Sequence, residues 1–495
     1  MDLHLTIKAF PSLIPGVPTA VLKSSMSTNE LEKRIETKMR DAGVAAPTIA
    51  AFLGAVRKVA AGERGMLPES AVDTIPSLPR LDQFSDAAGQ GSTALLKQLV
   101  VVKLNGGLGT GMGLESAKSL LPVKGSDTFL DYIARQILHL RAATGGTEPG
   151  FYLMDSFSTQ KDTLAYLRKY PALDAGEPLD FLQNKVPKID AKSFEPVSWP
   201  AQPDFEWCPP GHGDIYPSLI GSGLLDRLLA RGIKFMFVSN SDNLGATVDF
   251  KILQYFASEG LSFLMEVAER TAADRKGGHL ARGRSNGRLL LRESAQCPKE
   301  DEALFQDIQR HQFFNTNNLW VRLDHVKTEL ERSGGALPLP LITNTKTIDP
   351  RDASSTKVLQ LESAMGAAIE CFDKSGAVVV PRARFAPVKT TSDLLVLRSD
   401  ACRVTDDHRL VLVDERRGQP PLVDLDQKCY KLLGDFERFF PEGAPSLVRC
   451  DSLKVTGPVR FASGVICEGN VEFVNATSET KMVAAGRYRD TQKQL

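Results

Sequence analysis

A short apolar run passes directly into a glycine-rich loop in Leu99-Val-Val-Val-Lys-Leu-Asn-Gly-Gly-Leu-Gly-Thr-Gly-Met-Gly113, and this pattern indicates the class of fold. The run Leu99–Val102 suits a buried strand. The glycines at positions 106, 107, 109, 111 and 113 carry no Cβ, so backbone N–H groups can approach a ligand and cradle phosphate oxygens. A simple turn needs fewer glycines, so this run predicts a phosphate-binding loop. We expect a helix to begin nearby and to add its dipole to the attraction.

The loop matches neither of two common nucleotide-binding patterns. Walker A requires Gly-x4-Gly-Lys-Ser/Thr, but the pair Gly106 and Gly111 is followed by Met112. The GxGxxG pattern fails because Gly107-x-Gly109 leads to Met112 where a glycine is required. The failed spacing argues against a nicotinamide-dependent dehydrogenase.

Two charged side chains are suited to phosphate and metal. Lys118 follows the loop closely, and a phosphate contact is favoured there over a solvated surface charge. Asp242 comes after the apolar run Phe235–Val238. A carboxylate at the C-terminal end of a parallel strand, opposite a phosphate loop, can bind Mg²⁺. The alternative is that Asp242 only forms an Asx turn.

Short apolar runs alternate with amphipathic stretches through the middle of the chain. Leu99–Val102, Phe151–Met154, Phe235–Val238 and Phe263–Met265 are each short enough for a strand, and the first three lead into polar or glycine-containing segments. Buried parallel strands have this pattern, and ligand loops open at their C-terminal ends. We therefore predict a doubly wound α/β catalytic domain over residues 76–400.

The two ends of the chain differ from the middle. Residues 1–26 are apolar and interrupted by prolines, which predicts an optional or disordered extension rather than a targeting helix. Residues 27–75 are expected to form a helical N-terminal region, because capping-box spacing at Ser27–Glu30 precedes apolar residues that recur every four positions. Residues 401–495 contain short alternating β pieces punctuated by glycine, which suit a small β-solenoid or a sandwich.

Composition excludes several classes of partner. The chain has 495 residues, with 60 Lys+Arg against 60 Asp+Glu, and its formal net charge is zero. A neutral chain has no basic field for nucleic acid or a membrane surface. The 7 cysteines include no CxxC pair, which argues against a zinc site or a disulfide framework and predicts a cytoplasmic location. No apolar stretch approaches the ~18 residues needed to span a bilayer.

Several motifs in a fixed order carry a resemblance to a known family. The glycine loop looks like the signature of the eukaryotic-type UTP–glucose-1-phosphate uridylyltransferase (UDP-glucose pyrophosphorylase) family. The resemblance spans most of residues 30 to 475 and continues through Pro209-Pro-Gly-His-Gly-Asp-Ile-Tyr216, Val238-Ser-Asn-Ser-Asp-Asn-Leu-Gly245, Phe314-Asn-Thr-Asn-Asn-Leu-Trp320 and Arg384-Phe-Ala-Pro-Val-Lys-Thr390. It implies a Rossmann-like, GT-A-like nucleotidyltransferase core and a C-terminal domain with a left-handed β-helix.

The resemblance also implies roles for individual residues. Lys118 and Lys389 would be catalytic, and Asp242 would bind Mg²⁺. Gly211 and His212 would line the uridine site. Glu293 and Asn317 would contact the hexose, and Gln183 would read uracil, since an amide donates and accepts at once. The complete set of implied substrate contacts is Leu104, Gly106, Gly107, Gln183, Gly211, His212, Asn240, Ser241, Lys276, Gly278, Glu293 and Asn317.

The activity implied is the reversible reaction of UTP with α-D-glucose 1-phosphate to give UDP-glucose and pyrophosphate. It would depend on Mg²⁺ and proceed by direct in-line displacement without a covalent intermediate. Two alternatives stay open besides the dehydrogenase: a sister pyrophosphorylase for UDP-N-acetylglucosamine or several UDP-sugars, and a catalytically silent sugar-nucleotide binding protein. The β-rich tail could cap a monomer, which we favour, or bury an interface in a homo-oligomer.

Overall fold

The computed structural model describes residues 28–85 and 90–495. The expected extension over residues 1–26 lies outside the described residues. Within the described ranges, no helix is both long and apolar enough to cross a membrane.

The α-helices of the described residues are α1 (Thr28–Asp41), α2 (Ala46–Ala60), α3 (Gln90–Leu96), α4 (Phe129–Thr144), α5 (Gln160–Leu167), α6 (Ile215–Gly221), α7 (Leu224–Ala230), α8 (Phe250–Ser258), α9 (Glu302–Phe305), α10 (Leu323–Arg332), α11 (Thr391–Arg398), α12 (Gln427–Tyr430) and α13 (Leu433–Phe439).

The strands are β1 (Val72–Asp73), β2 (Leu99–Leu104), β3 (Pro122–Lys124), β4 (Asp127–Thr128), β5 (Gly150–Asp155), β6 (Asp180–Leu182), β7 (Val186–Pro187), β8 (Ile189–Asp190), β9 (Trp207–Cys208), β10 (Phe235–Asn240), β11 (Phe263–Glu269), β12 (His279–Gly283), β13 (Leu289–Arg292), β14 (Phe313–Arg322), β15 (Ile342–Thr347), β16 (Lys357–Glu362), β17 (Ser375–Val379), β18 (Cys402–Val404), β19 (Leu410–Leu412), β20 (Leu422–Leu425), β21 (Ser446–Thr456), β22 (Val459–Phe461), β23 (Val465–Val474), β24 (Lys481–Val483) and β25 (Gly486–Gln494).

The largest sheet has the strand order β1-β12-β14-β10-β2-β5-β6, and β11, β13 and β17 join it beside this path. The pairs β10–β2, β2–β5 and β5–β6 are parallel, as is β11–β17. Strand β14 runs antiparallel to both β10 and β11. The predicted α/β class is confirmed, and the apolar runs that we read as strands all lie in this sheet. The antiparallel β14 was not predicted.

Both faces of the sheet are covered. Side chains on β2 alternate, so that Leu99 and Val101 belong to one buried cluster and Val100 and Val102 to a second. Helices α4, α8 and α11 contribute to the first cluster, and α6, α7 and α10 contribute to the second. Because the helices lie on the faces, the C-terminal ends of β2, β5, β6 and β10 are left for loops.

The two buried clusters contain residues from different ranges of the sequence. The first cluster reaches from Leu81 to Val483, because residues of the C-terminal strands pack on that side. The second cluster is contained between Ile75 and Val379. The hydrophobic core of the C-terminal strands is thus continuous with the core on one face of the sheet.

Helices α1 and α2 bury one face each. Ile35 and Met39 of α1 and Phe52 and Val56 of α2 pack in a separate cluster that includes Leu359 of β16. This cluster places the two helices beside β7, β8 and β16 rather than on the large sheet.

The C-terminal strands pair in parallel. Strands β20, β21, β23 and β25 form one sheet, and β22 pairs with β24. The register places Leu453 beside Val471, and Val471 beside Thr491. Apolar side chains such as Val455 and Phe473 are buried between the strands.

The segment after the glycine loop differs from our expectation. Among the described residues, only single 3₁₀ turns follow β2 closely, at Thr110–Met112 and Lys118–Leu120. The next α-helix, α4, begins at Phe129 with Thr128 as its N-cap. The prediction of a helix beside the loop is therefore wrong, because so many glycines disfavour helix formation. The loop can therefore bind phosphate only through its own amides, without the dipole of an adjacent helix.

Candidate functional site

The glycine loop approaches other elements too closely for side chains. A Cβ at Gly106 would lie 2.7 Å from Gln183 Oε1. Gly109 adopts φ +49°, and a Cβ there would lie 3.2 Å from Lys118 Cγ. A Cβ at Gly107 would meet nothing within 4 Å, so its peptide borders open space. The loop is thus packed on one side and open on the other, where a phosphate can reach its amides.

Lys118 and Asp242 form an ion pair beside the loop. Lys118 Nζ lies 2.7 Å from Asp242 Oδ2, and the two side chains are 17% and 19% exposed. The backbone N–H of Lys118 also donates to the carbonyl of Gly107 at 3.0 Å. The structure therefore brings the predicted catalytic lysine and the predicted metal ligand together at the loop.

Leu104, Asn240 and Ser241 meet at the ends of β2 and β10. Asn240 stands opposite Leu104 in the parallel register, and the N–H of Ser241 donates to the carbonyl of Leu104 at 3.1 Å. All three thus lie at the sheet edge from which the glycine loop and Asp242 emerge.

The turn that carries Asp242 is fixed to a distant segment of the chain. Asn243 Nδ2 donates to the carbonyl of Arg384 at 3.1 Å, and its Oδ1 accepts from the N–H of Ala386 at 3.0 Å. The N–H of Val388 donates to the carbonyl of Asp242 at 3.2 Å. These bonds hold the segment that carries Lys389 against the turn that carries Asp242.

The donor set fits a magnesium ion held largely by its substrate. Asp242 Oδ1 is buried and has no hydrogen-bond partner, so one carboxylate oxygen is left for a ligand. The described residues contain no group of three or more His, Cys, Asp or Glu able to hold a metal. Mg²⁺ often uses one or two carboxylates and completes its octahedron with phosphate oxygens and water. A single carboxylate facing a phosphate loop agrees with that mode.

The residues expected at the uridine come together from two parts of the chain. Gln183 follows β6, and its Nε2 donates to the carbonyl of Gly211 at 3.0 Å. Gly211 adopts φ +81°, and a Cβ there would lie 2.4 Å from the carbonyl oxygen of Ser363. The segment therefore requires glycine at position 211, and the Gln183 amide bonded to it lies next to Gly106.

His212 is neutral in this site. Burial lowers the pKa of His212 to about 4. Its Nδ1 lies 2.9 Å from the backbone N–H of Met365 and accepts from it, which leaves the proton on Nε2. The imidazole can thus act as a neutral hydrogen-bond donor.

The residues expected at the hexose form a second group. A Cβ at Gly278 would lie 2.5 Å from Glu293 Oε2, and the carbonyl of Gly278 accepts from the N–H of Asn315 at 3.1 Å. Asn315 and Asn317 exchange two hydrogen bonds of 2.9 Å, and Asn317 has a positive φ of 58°. Carboxylate and amide groups are thereby collected on one surface that can bind hydroxyl groups.

Lys389 follows Val388, which bonds to Asp242, and lies near Glu293 of the second group. It is exposed, and its backbone N–H donates to Asp393 Oδ2 at 2.8 Å. Burial raises the pKa of Glu293, and the positive charge of Lys389 opposes that shift. Lys276 lies apart from these contacts, exposed on the turn before β12.

A buried ion pair beneath the site was missed by sequence reasoning. Glu266 on β11 is fully buried, and its two oxygens accept from Arg384 Nε at 2.8 Å and Arg384 Nη2 at 2.7 Å. The same carboxylate accepts from Trp320 Nε1 at 2.9 Å and Asn318 Nδ2 at 3.0 Å. The only signal in the sequence was an acidic residue, Glu266, flanked on both sides by apolar residues of β11.

Two buried carboxyl groups behind the residues expected at the uridine were also missed. Burial raises the pKa of Asp155 to about 7, and its Oδ1 accepts from Asn105 Nδ2 at 2.6 Å. Burial likewise raises the pKa of Asp214 to about 7, and its Oδ2 accepts from the N–H of Asn184 at 2.7 Å. Each carboxyl group supports a residue adjacent to a candidate contact, Gly106 or Gln183.

The chain resembles known proteins in both sequence and structure. A family model described as UTP–glucose-1-phosphate uridylyltransferase matches residues 57–468. The enzyme of that name from Solanum tuberosum is 44% identical over 394 residues, which cover 78% of this chain and 79% of the relative. The one from Saccharomyces cerevisiae is 43% identical over 381 residues, covering 77% and 74% respectively.

Solved structures of similar proteins superpose closely on this chain. A variant of UDP-glucose pyrophosphorylase from Leishmania major in complex with UDP-glucose gives a TM-score of 0.89 at 46% identity, covering 95% of this chain and 100% of that one. UDP-glucose phosphorylase from Trypanosoma brucei gives a TM-score of 0.87 at 49% identity, covering 94% of this chain and 100% of that one. The chain is a nucleotidyltransferase and belongs to the UTP–glucose-1-phosphate uridylyltransferase family.

Proposed function

We propose that the protein transfers a uridylyl group from UTP to α-D-glucose 1-phosphate, giving UDP-glucose and pyrophosphate, in a reversible Mg²⁺-dependent reaction. The observation that carries the proposal is the Lys118–Asp242 pair, 2.7 Å apart beside an open glycine loop, with Asp242 Oδ1 left without a partner. A cation, a free carboxylate oxygen and free amides are the groups that a triphosphate and its metal need.

The reaction requires no nucleophilic side chain, because an oxygen of the sugar phosphate attacks the α-phosphorus in line. Its difficulty is the charge of two polyanions that must meet. The glycine-loop amides and Lys118 bind the triphosphate, and Lys389 receives the incoming sugar phosphate. Bound Mg²⁺ would supply further charge neutralisation at the phosphates, held by Asp242.

Substrate selection follows from the two groups of contacts. The Gln183 amide and the backbone at Gly211 are suited to the uracil edge, and neutral His212 donates nearby. Glu293, Gly278 and Asn317 are suited to hexose hydroxyls. The remaining proposed substrate contacts are Leu104, Gly106, Gly107, Asn240, Ser241 and Lys276.

We further propose that the chain is organised in three regions. Residues 27–75 form a helical N-terminal region, residues 76–400 a Rossmann-like, GT-A-like catalytic domain, and residues 401–495 a domain with a β-helix. Parallel pairing of β21 with β23 and of β23 with β25 supports the β-helix. We favour a cytoplasmic monomer.

The test is pyrophosphate release from UTP with a panel of sugar 1-phosphates. Glucose 1-phosphate should give the highest kcat/KM, and excess chelator should abolish turnover. Preference for N-acetylglucosamine 1-phosphate would identify a sister pyrophosphorylase instead. Binding of UDP-glucose without any pyrophosphate release would indicate a silent binding protein.

A further inference from the structure

Lys103 is a buried lysine directly behind the metal-ligand turn. It lies on β2 one residue before Leu104 and is 3% exposed. Its Nζ donates to Ser239 Oγ at 2.7 Å and to the carbonyl of Ala246 at 2.6 Å. These acceptors stand at the two ends of residues 239–246, which we call the Asp242 turn.

Besides its ion pair with Lys118 and its strand pairing with β2, the Asp242 turn is held by further bonds, none of which joins Ser239 to Ala246. The N–H of Ser241 bonds to Leu104, the side chain of Asn243 bonds to the backbone of residues 384 and 386, and the carbonyl of Asp242 accepts from Val388. Each bond fixes one point of the turn to a neighbouring segment. Lys103 alone among these contacts spans the turn from its start to its finish.

Burying a lysine at this position costs more free energy than burying an apolar side chain of similar size. An ammonium group loses its hydration when it is buried, and burial lowers the pKa of Lys103 to about 7 despite the opposing charge of Glu266. A methionine would occupy a similar volume without that cost. What methionine lacks is the pair of hydrogen bonds to Ser239 and Ala246.

We propose that Lys103 is a positioning residue for the reaction: by joining Ser239 to Ala246 it fixes the Asp242 turn and directs the Asp242 carboxylate towards Lys118 and the glycine loop. The proposal rests on the proposed function, in which Asp242 holds Mg²⁺ on the triphosphate. Groups that orient a metal ligand without touching the metal commonly change metal affinity about 10–100-fold when they are removed.

The test compares Lys103→Met with Lys188→Met. Lys188 is also buried, at 7% exposure, and its Nζ donates to the carbonyl of Ile348 at 3.3 Å, away from the site residues. Binding of a non-hydrolysable UTP analogue is measured by calorimetry over a range of Mg²⁺ concentrations, together with binding of uridine without metal. kcat is measured in parallel.

For Lys103→Met, we expect the Mg²⁺ concentration that half-saturates analogue binding to rise about 10–100-fold. We expect kcat to fall about 10²-fold, the loss that a misplacement of about 1 Å can cause. Uridine affinity should stay at the wild-type value, because the Gln183 and Gly211 contacts are separate. Lys188→Met should leave all three quantities unchanged. If Lys103→Met does not fold, the Ser239→Ala variant is measured instead, since it removes the hydrogen bond between Lys103 and Ser239.

Two results would overturn the inference. One is a wild-type Mg²⁺ dependence in a folded Lys103→Met or Ser239→Ala variant. The other is an equal change in Lys188→Met, which would show a general effect of losing a buried lysine. Failure of the proposed function is a separate outcome, because wild-type protein would then release no pyrophosphate and its nucleotide binding would not respond to Mg²⁺.

Discussion

The ammonium of Lys118 lies 2.7 Å from Oδ2 of Asp242, so the cation expected to bind phosphate is held by the carboxylate expected to bind metal. Without substrate, each charge partly neutralises the other. Binding of a metal triphosphate gives Lys118 and Asp242 new partners of opposite charge, phosphate and metal respectively. The pair therefore keeps both groups in the site at little electrostatic cost until the substrate arrives.

Replacing Lys118 should separate binding from turnover. For Lys118→Ala we expect kcat to fall by about 10²-fold or more, since a preorganised charge at the transition state is lost. UDP-glucose should still bind, because the uridine contacts lie elsewhere. Pyrophosphate release and calorimetry measure the two effects, with the exposed Lys97→Ala as control. Wild-type turnover in Lys118→Ala would contradict the assignment.

Replacing Gln183 should weaken nucleotide binding more than catalysis. Gln183→Leu removes the amide that bonds to the carbonyl of Gly211 at 3.0 Å. We expect KM for UTP to rise about 10-fold, the effect of one lost hydrogen bond and an unpaired partner. Gln136 is the matched control, because its Nε2 donates to the carbonyl of His408 at 2.9 Å away from the site. Equal KM values for wild type and Gln183→Leu would remove Gln183 from the uracil site.

A methyl group at Gly278 should disturb the hexose contacts alone. The added Cβ would lie 2.5 Å from Glu293 Oε2, so the carboxylate must move. We expect Gly278→Ala to raise KM for glucose 1-phosphate by about 10-fold, as expected when a charged hydrogen bond is lost, while KM for UTP is unchanged. Gly54→Ala is the control, since a Cβ there meets nothing within 4 Å. A selective increase in KM for UTP would contradict the assignment of this group.

The buried Glu266–Arg384 pair should matter to stability only when one partner is removed. Glu266→Gln leaves Arg384 charged and buried, and we expect the free energy of unfolding to fall by about 3–5 kcal/mol. The double replacement Glu266→Gln with Arg384→Met should recover part of that loss, because no unpaired charge remains. Urea denaturation of the single and double variants measures the coupling. Strictly additive losses would show that the two residues act independently.

Asp155 should make stability depend on pH. Burial raises its pKa from 3.8 to about 7, so the folded protein keeps a proton that the unfolded chain releases near pH 3.8. The folded state therefore loses stability as the pH rises from about 4 to about 7, and the loss is complete above that value. Between about pH 5 and about pH 8, we expect the Tm of Asp155→Asn to fall less than that of wild type. The exposed Asp162→Asn should retain the wild-type slope.

Sequence reasoning succeeded where the signal was local. The run Leu99–Val102, its glycine loop and the polar residues after Phe235–Val238 each identify a strand and the loop at its end. The resemblance added Gln183 and Glu293, which carry no local signal of their own. Their placement beside Gly106 and Gly278 needed the structure.

Two kinds of structural feature could not be predicted from the sequence. Asn315, Asn317 and Asn318 lie on β14, whose place between β10 and β11 depends on pairings distant in sequence and could not be predicted from local spacing. Lys103 and Glu266 are charges within apolar runs, and a charge can be buried only if partners far along the chain satisfy it. Those partners, Ala246 and Arg384, cannot be identified from spacing.

The cluster on the first face of the large sheet, which reaches Val483, has a consequence for synthesis of the protein on the ribosome. Strand β2 and the second face can be completed once Val379 has emerged, but the first face lacks part of its covering until the last strands follow. The nascent chain thus carries an incomplete first cluster until those strands are made, although α4 and α8 already cover part of that face. A chain that ends before these strands would leave apolar residues of the first cluster, such as those on α11, without their C-terminal partners, and we expect chaperones to bind it.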